Sequence, residues 1–342
     1  MIVKNQNCNN IHKHRFLKKV LNQKDFSTHP LSHDASFRRY ERITSPKEKF
    51  ILMDASLDKN SIQPFMFIAE FLYKKGYSVP KIFAKEEMLG FLLLEDLGKT
   101  SYAFLLENPD AETLIEVEKK LYKAAIDLLV DLHHKVSTHE IKISSYTKKS
   151  LLNEALLLID WYFPTLTGSK ISEDLRKEYT RAWGKIFNHF HCAEECLVLG
   201  DYHIDNLIWL ENREGIKKIG LLDFQDAVKG SYAYDVVSLL EDARRDIDSK
   251  VVHKMLEYYL SQMPHIDRKK FLSDYKILGA QRSCKVIGIF ARKATRDNDT
   301  RYLQHLPRVW NYIKQSIDHP ILKPLKIWFQ TVGIPVMKNS TQ

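Results

Sequence analysis

The chain has 342 residues, 44% apolar and 28% charged, which is the balance of a globular protein with room for two packed lobes or one large domain. Its 52 basic and 43 acidic residues give a net charge of +9. The basic residues are interleaved with acids and come with no RNA-type aromatic signature or helix-turn-helix pattern, so nucleic acid is not an expected partner and the charge suits small anionic ligands instead.

No apolar run reaches the roughly eighteen residues of a membrane span, and MIVKNQNCNNIHKHRFLKK has no apolar segment of the secretory kind. No membrane is expected, and the expected location is the cytoplasm. Cys8, Cys192, Cys196 and Cys284 are too scattered for a disulfide framework. His189, His191, Cys192 and Cys196 lie close together, but no second Cys/His pair follows at structural-zinc spacing, so they read as a helix end running into a buried strand.

In chain order, SFRRYERIT and KFILMDAS predict two strands separated by a Ser-Pro-Lys turn. Residues 62–75 carry apolar residues at helical spacing, and Gly76 and Pro80 close that helix. KIFAKEE and GFLLLEDLG predict a hairpin whose second strand is apolar throughout. From Glu112, ETLIEVEKKLYKAAIDLLVDLHHK predicts a long helix, and residues 151–163 and 173–192 are also predicted helical.

One β-rich island interrupts the helices, with strands at LVLG, NLIWL and IKKIGLLDF and a turn at ENREG. Helix is predicted again over residues 234–315. The expected fold is therefore α+β in two lobes: a small β-rich lobe over residues 1–96 and a larger, mostly helical lobe over residues 97–342, with a linker near residues 95–98.

The island carries the chemistry. Asp201 and Asn206 fall in a loop directly after an apolar strand, and the following hairpin brings the chain back to Asp223 and Phe224. Two carboxylates and an amide are thereby expected at one end of a small sheet. Phosphoryl transfer needs such a set: one carboxylate to orient a hydroxyl and take its proton, and a carboxylate with a side-chain carbonyl to hold Mg²⁺ against a polyphosphate. Taken singly, each of these residues also fits an ordinary turn or helix cap. It is their conjunction that points to chemistry.

At these residues, LGDYHIDN followed by LLDFQDA, the chain resembles the aminoglycoside phosphotransferase/choline kinase superfamily, distant relatives of the protein kinases. The resemblance implies a two-lobed protein-kinase-like fold, ATP and Mg²⁺ as cofactors, Asp201 as catalytic base, and Asn206 and Asp223 as metal ligands. It makes His203 the histidine of the catalytic loop, and Asp235 in YAYDVVSLL the residue that pins that loop through backbone N–H groups. Leu199 departs from the family pattern, which has His there. SHDASFRRYERI, LLLEDLG, YDVVSLLEDARRDI and AQRSCKVIGIFARKATRDNDTRYLQHLPRVW further resemble the bacterial anomeric kinases of N-acetylmuramate and N-acetylglucosamine in cell-wall recycling, over residues 31–335.

On the nucleotide side the resemblance places residues 33–36 in a turn over the phosphates, with the Ser36 hydroxyl and N–H directed at them. The slot of the protein-kinase third-strand lysine is Met53, which leaves Arg38, Arg39 or Lys49 to supply the positive charge. Glu95 and Leu97 fall where linker backbone would meet adenine. On the acceptor side, Arg282, Lys285, Arg292, Lys293, Arg296 and Arg301 outnumber Asp297 and Asp299, and Arg282 is the expected grip on an acceptor carboxylate. Trp161 and Tyr162 are either sugar-stacking or core residues. The expected partners are a nucleotide and a small sugar acceptor, bound by a monomer. Two other readings are a kinase of an aminoglycoside-, choline- or homoserine-like alcohol, which the basic acceptor lobe disfavours for cations, and a catalytically silent nucleotide binder, which retention of Asp201, Asn206 and Asp223 disfavours.

Overall fold

Five strands in the first hundred residues, counted in chain order, form one antiparallel sheet in the spatial order first, second, third, fifth, fourth. The structure, a computed structural model, describes residues 2–22, 25–31, 38–107, 111–190 and 195–333. Helix α1 (Ile2–Leu21) leads into β1 (Ser27–Pro30), β2 (Arg39–Thr44) and β3 (Lys49–Asp54). The predicted helix is α2 (Ile62–Lys74), and the predicted hairpin is β4 (Ile82–Glu86) with β5 (Phe91–Glu95). Short α3 (Tyr102–Glu107) follows.

The α2 helix buries one stripe, Ile62, Phe65, Met66, Ile68, Ala69 and Leu72, as its periodicity requires. Helix α1 is not expected from sequence, and β1 is expected only through the resemblance, which makes residues 33–36 the turn between the first two strands. Helix α1 is mostly polar; its Phe16 and Leu17 are buried in the cluster of Ile43, Phe50, Leu52, Phe91 and Leu93, and its Val20 and Leu21 pack against that cluster. Strand β1 is exposed at all four positions, so it has no alternation to read.

Helices α4 (Ala111–Lys135), α5 (Lys148–Ala155), α6 (Phe163–Thr167) and α7 (Glu173–Phe187) come next, with a π-helical turn at Leu158–Tyr162 before α6. Strand β6 (Glu195–Val198) opens the β-rich island, which continues with β7 (Leu207–Trp209), β8 (Ile219–Leu221) and β9 (Val228–Ser231). The described residues then include α8 (Ala233–Leu240), α9 (Ser249–Gln262), α10 (Arg268–Arg296), α11 (Leu306–Ser316) and α12 (Lys323–Val332). Long α10 packs against α5, α8 and α11 and is therefore buried around much of its circumference. Among the described residues no helix is long and apolar enough to cross a membrane.

By packing, one unit comprises Met1–Asn108 and Asp205–Asp226, and the other Pro109–Ile204 and Ala227–Gln342. The expected division after residue 96 follows chain order. The packing also gathers residues 97–108 and the β7–β8 hairpin into the first unit. Leu221 N donates to Ser78 O and Trp209 N to Thr100 O, both at 2.7 Å, which fastens the hairpin there. The fold is a two-lobed α+β architecture, an N-terminal antiparallel sheet with a mostly helical remainder.

Candidate active site

In the second unit, buried Cys196, Leu197 and Val198 of β6 deliver the chain to Gly200 and Asp201. Asp235, in the first turn of α8 and 1% exposed, accepts Leu199 N at 2.7 Å and Gly200 N at 2.9 Å, one on each carboxylate oxygen. Ser238 Oγ donates to Gly200 O at 3.2 Å. Gly200 has φ +90°, a conformation that excludes most side chains. Asp235 thus pins the loop through its backbone, as the resemblance implies.

Asp201 is held out from this anchor and is exposed. The surrounding protein pushes its carboxyl up, but the electrostatic influence of His203, Lys285, Arg282 and Arg244 outweighs that and holds it below the usual carboxylate range. His203 is buried, with Nε2 3.3 Å from Arg244 Nη1, and burial followed by the Arg244 charge pushes its pKa down to about 4. A neutral imidazole accepting at Nε2 carries its proton on Nδ1. Arg244 lies in a segment fixed by Arg245–Glu118 at 2.8 Å and Arg308–Asp246 at 2.6 Å.

In the first unit, Asn206 ends a single 3₁₀ turn and leads directly into β7. Its carbonyl accepts Leu222 N at 2.9 Å, which brings the end of β8 and Asp223 alongside it. The convergence of Asn206 and Asp223 expected from the hairpin is therefore present. Asp223 adopts φ +56°, a left-handed conformation that Asp tolerates better than most residues. Its Oδ1 accepts Arg38 Nη2 at 3.2 Å and Gln225 Nε2 at 3.0 Å, and its side chain is 40% exposed. Phe224 is buried and stacks on Phe65 with ring centroids 5.2 Å apart, fixing the strand end.

The amide oxygen of Asn206 and the carboxylate of Asp223 are hard donors of the kind Mg²⁺ takes. Among the described residues no three His, Cys, Asp or Glu gather as a metal site. Mg²⁺ keeps several waters and phosphate oxygens, so two protein oxygens fit it.

The other expected site residues fall as follows. Met53 is fully buried between Tyr40 and Leu92 on the neighbouring strands. Arg38 is buried beside Asp223, whereas Arg39 is 3.6 Å from Asp54 and Lys49 is exposed at the start of β3. Glu95 N donates to Lys81 O at 2.8 Å and its carboxylate pairs with Arg213, while Leu97 is buried. Ser36 and the rest of its turn lie outside the described residues. So do His191 and Cys192, while Cys196 is buried on β6.

Arg282 is 6% exposed on α10, and its charge acts on Asp201, Asp235 and Glu241. Lys285, one turn further on, is 2.8 Å from Glu154. Farther along, Arg296 and Arg301 pair with Asp297 and Asp299, and Lys293 lies over the Tyr302 ring. Tyr162 is core and Trp161 half-buried.

Two pairings escape sequence reading. Arg42 grips Asp96 through two hydrogen bonds of 2.6 and 2.9 Å and reaches Gly98 O at 3.1 Å, tying down the linker. Glu154 with Lys285 is the other. In both, the partners lie far apart in the chain, and each residue alone reads as ordinary surface charge.

A model of the phosphotransferase enzyme family matches residues 27–272. The chain belongs to this family. An N-acetylmuramate/N-acetylglucosamine kinase of Caulobacter vibrioides is 32% identical to this phosphotransferase over 339 residues, covering 89% of the chain and 92% of the relative. Among solved structures, the choline kinase LicA of Streptococcus pneumoniae superposes with a TM-score of 0.63 at 12% identity, over 89% of this chain and 99% of that one. The ADP-bound aminoglycoside phosphotransferase APH(2'')-Ib gives 0.57 at 17% identity, over 87% and 96%. At such identities these structures speak for the fold of the phosphotransferase, not for its acceptor.

Proposed function

We propose that this phosphotransferase moves the γ-phosphoryl group of ATP to the anomeric hydroxyl of an amino sugar, N-acetylmuramate and/or N-acetylglucosamine. The product is the sugar 1-phosphate, formed by a cytoplasmic monomer in peptidoglycan recycling. The anchored loop carries this reading: Asp235 fixes Leu199 and Gly200 and leaves Asp201 exposed, in a chain whose match to a kinase of these two sugars is nearly full-length.

Asp201 accepts the acceptor hydroxyl and takes its proton as the sugar oxygen bonds to the γ-phosphorus and the bridging oxygen departs with ADP. A carboxylate held below the usual range stays ionised at neutral pH, so it is ready to orient that hydroxyl. Asn206 and Asp223 hold Mg²⁺, which when bound offsets charge on the phosphate oxygens. Arg38, paired with Asp223, supplies the cation that Met53 cannot, with Arg39 and Ser36 on the phosphates and the backbone at Glu95 and Leu97 on adenine. His203, neutral and braced by Arg244, holds the loop's shape.

The test is ATP consumption by the purified chain across a panel of amino sugars, choline and aminoglycosides, with the phosphorylated carbon located by NMR. Phosphate at C1 of either N-acetyl sugar is the expected result. Turnover confined to a cationic alcohol sinks the proposal.

A further inference from the structure

A cluster of charged and phenolic side chains in the second unit enters the chemistry above only through the charge of Lys285 on Asp201. Lys285 Nζ on α10 is 2.8 Å from Glu154 Oε1 on α5 and 3.4 Å from the Tyr234 hydroxyl, and it lies 6.0 Å from the centroids of both the Tyr146 and Tyr234 rings. Glu154 Oε2 accepts the Tyr146 hydroxyl and Gln281 Nε2, the latter at 3.2 Å. With three donors on its two oxygens, Glu154 is occupied as a brace. The ammonium has three N–H groups and directs only two at these partners. The pair is not sealed in the core, since the Lys285 side chain is 22% exposed and that of Glu154 28%.

Hydrogen bonds place the cluster beside the Asp201 loop. Tyr234 immediately precedes Asp235, which holds Leu199 and Gly200. Tyr146 N donates to Lys229 O at 2.7 Å on β9, and β9 pairs with β6, the strand that ends in the loop. Stability alone is a weak reason for such a pair, because partly desolvated ion pairs return little of what desolvation costs. Arg282, by contrast, is only 6% exposed on the same helix, so a substituent of the acceptor has less access to it than to Lys285.

We infer that Lys285, braced by Glu154 and Tyr234 next to the Asp201 loop, receives an anionic substituent of the acceptor, the carboxylate of an acidic amino sugar, and thereby sets the preference for that sugar over its uncharged counterpart. The inference rests on the sugar-kinase reading and moves acceptor selection from Arg282 to Lys285. N-acetylmuramate and N-acetylglucosamine differ by a lactyl ether, so the two sugars isolate the carboxylate's effect. The Lys285 ammonium also repels a cationic substituent placed against it.

The experiment measures kcat/KM of full-length wild type, Lys285→Met and Lys285→Arg on both sugars, with KM for ATP. Lys285→Met is expected to lower kcat/KM for N-acetylmuramate about 10- to 100-fold more than for N-acetylglucosamine, whose smaller loss reads the effect of the charge on Asp201, and to leave the ATP KM unchanged. Lys285→Arg is expected to recover most of the loss. The methyl ester of N-acetylmuramate reads the same contact from the substrate side, independently of how any variant folds. Wild type is expected to disfavour the ester by a similar factor, and Lys285→Met to be indifferent to it. Equal losses on both sugars, or wild type blind to the ester, overturn the inference alone. Wild type that phosphorylates neither sugar overturns the kinase reading and the inference with it.

Discussion

Asp235 shows how much one buried carboxylate controls. Burial pushes its pKa up to about 7 even though two backbone N–H groups favour the charged form. Asp235→Asn keeps the shape but leaves one acceptor oxygen for two N–H donors, and its amide N–H opposes the second. A buried donor without a partner costs about 1–3 kcal/mol. The expected result is a lower melting temperature and a large fall in kcat with little change in ATP affinity; an unchanged kcat in a folded variant rules out the anchoring role. Asp201→Asn is expected to reduce kcat by about 100-fold or more while ATP still binds, through loss of the base. Asp223→Asn is the sharper metal-ligand test, because Asn tolerates φ +56° and little strain is added. It should abolish turnover and weaken Mg²⁺-nucleotide binding in calorimetry with the fold intact. Asn206→Ala is expected to be partly rescued by high Mg²⁺ or Mn²⁺.

Elements built on periodicity were legible from sequence, and those built on distant partners were not. The apolar stripe of α2 and the unbroken apolar run of β5 predict themselves. Strand β9 does not: VKGS has no alternation and pairs with β6 across the whole hairpin. IKKIGLLDF reads as one strand, yet Gly215–Lys218 curl into a 3₁₀ turn and only Ile219–Leu221 pair, with Gly215 at φ +54°. Residues 234–315 are helical as predicted but broken before and after α9, where Asp248 caps α9 and Asp267 caps α10, and again before α11. The loop residues of the site were legible because motif spacing fixes them, whereas the Lys285–Glu154 brace needs α5 and α10 packed together. That packing gives an element-scale prediction. A methyl on Gly288 of α10 would sit 2.3 Å from the carbonyl carbon of Leu157, whose backbone cannot swing aside as a side chain would. Gly288→Ala is therefore expected to cost about 1–3 kcal/mol or more in denaturant unfolding. Gly184 of α7 meets nothing within 4 Å, and Gly184→Ala is expected to gain up to about 1 kcal/mol. Equal effects at the two sites would refute the close approach of α10.

At the scale of the whole molecule, stability against pH is a contest between buried groups of opposite sign. His133 is buried on α4 with Nδ1 2.8 Å from the Tyr259 hydroxyl, and burial pushes its pKa down to about 3; His203 is pushed down to about 4. Between their unfolded value and these folded values the unfolded chain binds more protons. Their contribution is complete above about pH 6.5 and is lost as pH falls through that range. Asp235 and Glu241, both raised to about 7 chiefly by burial, act in the other direction: the folded chain holds their protons, so their penalty is relieved as pH falls from about 7 toward 4. The opposing slopes overlap and partly cancel, which predicts a shallow stability profile for wild type in that window. Removing one side exposes the other. His133→Gln eliminates one destabilising protonation, so its unfolding free energy relative to wild type should rise by about 3 kcal/mol between pH 6.5 and 4. Denaturant titrations at half-unit pH steps read this difference directly. A constant offset at pH 6.5 would reflect only the lost Tyr259 hydrogen bond, whereas curves that stay parallel down to pH 4 would show that His133 is not held neutral in the fold.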